Sequence, residues 1–300
     1  MRKTPSLFTK HQKTSLTMLL MLAFVIVAAA HGTNPPTPTP QREKTVLLTV
    51  SVESGEAAID VVAILDGKQL RHPYTDEQKD AQKSFGNQYW SPGKKYRVTF
   101  GGGDAGTVTM KSWNEGCNNI HAQGTPDITA KLGGKVMALA TNSETLGKRA
   151  GARRAPTDTE RAAVLALMKN IYRQRRTPAS LIAGIKVTNL TATDLDGDGQ
   201  YEFIGSFALA AKNRFERDLF LIAKQQGNAM RAEFVKFQAY QPPPEQFLWS
   251  IDFVDQLDLD GDGVGEVFAT AGGFDGYSYV IFKKVGGRWK EVYDQIGDAC

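Results

Sequence analysis

Two nine-residue stretches constrain this chain more than anything else in it. They read Asp194-Leu195-Asp196-Gly197-Asp198-Gly199-Gln200-Tyr201-Glu202 and Asp258-Leu259-Asp260-Gly261-Asp262-Gly263-Val264-Gly265-Glu266. Both put carboxylates at positions 1, 3, 5 and 9 and glycines at 4 and 6, and their starts lie 64 residues apart. Four carboxylates on so short a segment repel one another unless a cation lies among them. Calcium is a hard cation that takes about six to eight oxygens, so it suits carboxylates converging from a tightly wound backbone. Glycine at position 6 permits the sharp turn, and the carbonyl at position 7 (Gln200, Val264) can add an oxygen. Each loop is expected to hold one calcium, about two ions in all. A plain Asp/Gly turn has the same residue types but rarely this fixed spacing.

An EF-hand would need a bidentate Glu at position 12 and helices on both sides. Position 12 is Gly205 in one loop and Ala269 in the other, and both flanks read as strand. The surrounding chain looks like one unit written twice. Strands are expected around Val187–Thr193, Glu202–Ala210, Asp218–Lys224 and Ala232–Gln238. The same order is expected around Phe247–Gln256, Glu266–Ala271, Tyr277–Lys283 and Trp289–Val292, with Pro242-Pro243-Pro244 at the join. The pattern D-x-D-G-D-G-x-x-E followed by a strand resembles the FG-GAP/VCBS repeats of integrin-α-like β-propellers. That resemblance covers Ile185–Val292 and implies a structural calcium in each hairpin loop. It implies metal roles for Asp194, Asp196, Asp198 and Glu202, and for Asp258, Asp260, Asp262 and Glu266. Propellers need about four to eight blades, so two units do not close a ring. Either a short two-unit variant or one continuous sheet packed on a helix is expected.

The fold class expected is mainly β. Residues 45–142 form a β-sandwich-like domain. Thr45–Glu53 (TVLLTVSVE) alternates and is rich in β-branched residues, and Ile59–Leu65, Lys95–Phe100, Thr107–Trp113 and Lys135–Thr141 follow as strands. Short strands with turn signals between them suit a small sandwich or barrel. Tyr89, Trp90, Tyr96, Phe100 and Trp113 cluster here, as core or as an aromatic surface for glycans. A basic linker is expected over 143–156 and a helix over 157–176, with Thr157 and Glu160 as a capping box. The C-terminal region is 177–300, with its two four-stranded units near 185–240 and 247–293.

Residues 1–30 resemble a signal peptide: Arg2, Lys3, Lys10 and Lys13, then an apolar run from Met18 to Ala30 ending in three alanines. The run is too short to span a membrane, which takes about 20 residues, so no transmembrane helix is expected after cleavage. Residues 31–44, rich in Pro and Thr, form a spacer. The chain holds 36 basic and 32 acidic residues, and four of the basic ones precede position 31. The remainder is formally neutral, which argues against a nucleic-acid partner. Local charge is uneven, since nine basic residues between Lys148 and Arg176 face only Asp158 and Glu160. In an exported chain, Cys117 and Cys300 permit a disulfide.

None of G-x-S-x-G, H-E-x-x-H, C-x-x-C or G-x-x-x-x-G-K-[ST] occurs. His72 and His121 read as ordinary surface residues, and His31, next to the cleavage site, is followed at once by the spacer. The expectation is a periplasmic or extracellular calcium-binding protein engaged in binding or adhesion, with a protein or glycan ligand. The rival is an envelope hydrolase or its accessory subunit, marked by a carboxylate pair converging outside the two loops.

Overall fold

The computed structural model describes residues 43–74, 79–115, 119–211, 214–239, 250–272 and 276–299. The signal-like segment, residues 31–42 of the spacer, Pro242–Pro244, Cys117 and Cys300 lie outside them, and with the cysteines lies the expected bridge.

Seven strands make the first sheet: β1 (Thr45–Glu53), β2 (Glu56–Asp66), β3 (Gln69–Arg71), β4 (Lys95–Phe100), β5 (Gly103–Glu115), β6 (Ile120–Ile128) and β7 (Ala138–Thr141). Their order is β1-β7-β4-β5-β6-β2-β3, and β1 also pairs with β2. All these pairings are antiparallel, so six strands close into a barrel with β3 as an appendage. Sequence left sandwich and barrel open; closure removes the exposed edges that a sandwich keeps. Val46, Leu48, Val50, Ile59, Val98 and Val108 fill the interior. Helix α1 (Lys79–Tyr89) adds Phe85 and Tyr89, and Trp90 and Tyr96 join the same core, which removes Tyr89, Trp90 and Tyr96 from any glycan-facing surface.

The C-terminal half contains two sheets instead of one continuous sheet. The first has β8 (Arg153–Arg154), β9 (Lys186–Thr193), β10 (Glu202–Ala211), β11 (Arg214–Gln226) and β12 (Ala229–Ala239), ordered β12-β11-β10-β9-β8. The second is a meander of β13 (Ser250–Leu257), β14 (Glu266–Gly272), β15 (Gly276–Val285) and β16 (Arg288–Ala299). Each four-strand order is the one expected from sequence, and each acidic loop joins the first two strands of its meander.

Alternating side chains glue the layers together. In β11, Leu219 and Leu221 face helix α2 (Asp158–Gln174), where they meet Val164, Met168 and Tyr172. Phe220 and Ile222 point the other way, onto Phe253, Val267, Val280 and Phe282 of the second sheet. The far face of that sheet (Val254, Phe268, Tyr279, Ile281) packs on Leu47, Val62, Leu65 and Leu139 outside the barrel. The order of layers is helix, sheet, sheet, barrel. Strand β1 therefore buries both faces, which explains the adjacent leucines Leu47 and Leu48. Helix α2 starts at the capping box expected, with Thr157 and Glu160 exchanging hydrogen bonds.

Segment 143–156 differs from the linker expected. Arg149 and Arg153 turn inward, Arg154 lies over the Tyr201 ring and pairs with Glu160, and Arg153–Arg154 pair with β9. Its lack of apolar period conceals this, because its contacts are guanidinium hydrogen bonds. Arg153 lies between the rings of Phe100 (4.6 Å) and Phe253 (4.7 Å). It donates to the carbonyls of Met137 (3.0 Å) and Val254 (2.6 Å) and sits 3.2 Å from Asp255 Oδ1. Asp255 also accepts the Gly101 N–H at 3.0 Å, joining barrel, linker and second sheet. Burial pushes the Asp255 carboxyl up to about 6, against the pull of Arg153 and the Gly101 amide.

Removing Asp255 strands a guanidinium in a dry junction. Asp255→Ala should lose about 3–5 kcal/mol in urea unfolding, whereas the double change Arg153→Met, Asp255→Leu should recover much of it. A single-variant loss below about 1 kcal/mol would show the pair to be energetically a surface one.

Candidate metal centres

The two loops repeat one hydrogen-bond plan. Asp194 accepts from the amides of Gly197 (2.7 Å) and Gly199 (3.0 Å), and Asp258 accepts from Gly261 (2.9 Å) and Gly263 (3.0 Å). These four glycines have φ between 70° and 91°, the left-handed region that glycine enters without penalty. Position 5 braces the next turn: Asp198 takes the Gln200 amide at 2.7 Å and Asp262 the Val264 amide at 2.9 Å. At position 9, Glu202 and Glu266 are buried on the first residue of their strands. Each reaches back 2.8 Å to the amide of a buried leucine, Leu195 or Leu259.

Carboxylate oxygens of Asp194, Asp196 and Glu202 lie within 4.8 Å of one another, as do those of Asp258, Asp260 and Asp262. Either group could hold a metal ion. Asp198 falls outside the first group and Glu266 outside the second. Gln200 and Val264 enter through their amides, as donors to the braces just described. Asp196 Oδ1 and Asp260 Oδ1 are buried and accept no hydrogen bond, so each loop keeps a spare oxygen facing no donor. An all-oxygen set with such orphaned atoms fits a hard cation.

Sequence reasoning missed three basic residues here. Lys224 on β11 lies across from Glu202 and contacts Asp196 and Asp198 at 2.9 Å and Glu202 at 2.6 Å. Lys283 on β15 contacts Asp260 at 2.8 Å and Glu266 at 2.6 Å. A signal existed: each lysine stands three residues before the glycine of the following hairpin turn, Gly227 or Gly286. Burial pushes Glu202 and Glu266 up while the lysines pull them down; Asp198 and Asp260, more exposed, are held low chiefly by the same lysines. Arg149 is the third, donating to the carbonyls of Gly263 (2.5 Å) and Leu195 (3.4 Å). With the Gly265 amide on Leu195 O at 2.7 Å, it holds the loops side by side.

No family model matches the chain. Nor does any curated protein or any solved structure.

A pocket between the two C-terminal sheets is lined by Thr188, Ser206, Asp218, Lys236, Gln238 and Ser250, among others. Asp218 is buried there with neither oxygen hydrogen-bonded. Burial first, then the charge of Asp252, push its carboxyl up to about 7.

The folded chain thus holds the Asp218 proton more tightly than the unfolded chain. The stability this contributes is complete below about pH 4 and lost as pH rises through about 7. Asp218→Asn should therefore be more stable than the parent at pH 8, by about 2 kcal/mol, and gain little at pH 4. Thermal melts across that range check it; parallel curves would show that folding leaves the Asp218 proton affinity unchanged.

Proposed function

We propose that this chain is an exported calcium-binding protein engaged in non-enzymatic binding or adhesion at the cell envelope, with calcium structural. The observation that carries the reading is the duplicated cradle. Two loops with one hydrogen-bond plan each present converging carboxylates and at least one buried oxygen without a hydrogen-bond donor. Neither group contains His or Cys, which favours calcium over zinc or copper. Bound there, calcium would supply charge neutralisation and tie the ends of β9 to β10 and of β13 to β14. Export rests on the character of residues 1–30, and a periplasmic or extracellular site follows from it. The ligand is a protein or a glycan, met on a surface outside the barrel core.

A hydrolase is the second reading, and Asp218 is the observation in its favour. The neighbouring carboxylate, Asp252, already serves Lys135 (2.9 Å) and Thr188 (3.1 Å), so the pair lacks a second free base.

Calorimetry on the chain from residue 31 onward should find two calcium sites. Asp196→Ala and Asp260→Ala should each remove one. Calcium at a hundred times Kd should add about 2.7 kcal/mol of stability, and chelation should lower Tm accordingly. Absence of binding at millimolar calcium would overturn the proposal.

A further inference from the structure

Each acidic loop already contains a cation of the protein's own. An ammonium has three donors. Lys224 spreads its group over three carboxylates, at 2.6 Å from Glu202 and 2.9 Å from both Asp196 and Asp198. Lys283 does the same with Glu266 at 2.6 Å and Asp260 at 2.8 Å, and its third neighbour, Asp262, stands at 3.9 Å. The two lysine–glutamate pairs are the sheltered ones: Lys224 is 13% exposed and Lys283 24%, and each glutamate is 2%. Burial alone would lower the lysine pKa, but the carboxylates outweigh it and raise it. The third strands of the two meanders thus deliver lysines to equivalent places.

Calcium needs its oxygens at about 2.3–2.6 Å on all sides, so it and an ammonium bonded to the same oxygens exclude each other. We infer that Lys224 and Lys283 are resident counter-cations, and that a divalent ion enters either loop only by displacing the lysine. This rests on the calcium reading of the same loops. The lysine keeps the loop neutralised without metal, and it weakens the affinity by competing for the site. The lysines form no ion pair with Asp194 or Asp258, whose oxygens each accept one glycine amide and keep a lone pair for the ion. The two loops are unequal: Lys283 makes two contacts below 3 Å where Lys224 makes three, so the second loop gives up its lysine more readily.

The test is calcium calorimetry on the parent, Lys224→Met and Lys283→Met, with Tm measured in chelator and in calcium. Methionine keeps the stem and removes the charge. Each variant should tighten its own loop by about tenfold or more, with the larger gain for Lys224→Met. Both should melt lower than the parent in chelator and recover in calcium. Amine acylation of the parent, read by mass spectrometry, covers the case of a variant that does not fold: calcium should raise labelling of Lys224 and Lys283. If the parent binds calcium while affinity and labelling stay unchanged, the displacement inference is wrong and the calcium reading stands. If no form binds, both fall. Binding by the variants alone would support the lysine as occupant and overturn calcium in the natural chain.

Discussion

A four-stranded meander with apolar side chains on both faces needs something packed against each of them. In a propeller the neighbouring blades do this, and ring closure supplies the last neighbour. Here Leu219 and Leu221 face one way and Phe220 and Ile222 the other, and β15 divides Tyr279 and Ile281 from Val280 and Phe282 in the same manner. Two meanders cover each other on one face only. Helix α2 covers the outer face of the first and the barrel covers that of the second. The stack is therefore closed at both ends without a ring, and the demand for two caps accounts for a helix and a barrel in the same compact unit.

The same demand explains the junction around Arg153. Packing a barrel against a sheet brings the end of β4 and the start of the next turn against β13, where main-chain groups are left to satisfy. Gly101 meets Asp255 through its amide and Gln256 through its carbonyl. Arg153 fills the remaining gap with its guanidinium between two phenylalanine rings and its Nη1 on two carbonyls. A guanidinium is suited to this, being planar, weakly hydrated and rich in donors. What looks in sequence like solvated basic spacer is a strip of internal hydrogen bonds.

That contrast marks where legibility ends. Strand order in the C-terminal half could be read because the loops fix where strands begin, and alternation in β11 and β15 fixes their faces. The capping box at Thr157 could be read because it is local. Barrel closure could not, since the local β1–β2 hairpin becomes part of a ring only through the β1–β7 pairing, nearly a hundred residues away. Leu47 and Leu48 hinted at two buried faces, but without the second sheet the hint has no direction. The carboxylates of both sites were visible from spacing, whereas Lys224 and Lys283 were not, because cross-strand register places them and the motif does not mention them.

Charge is the last constraint on the loops. Four carboxylates meet one ion-paired lysine in each, Lys68 adds a bond to the Asp260 carbonyl of the second, and Arg149, though between them, spends its donors on the carbonyls of Gly263 and Leu195. Each loop is left acidic even with its lysine seated, and the loops are neighbours through Gly265 and Leu195. Two like-charged sites a hydrogen bond apart repel, more so where Glu202 and Glu266 are buried. The backbone amides on Asp194, Asp198, Asp258 and Asp262 offset part of that repulsion by directing dipoles at the carboxylates. What they leave is a residual negative potential at both loops.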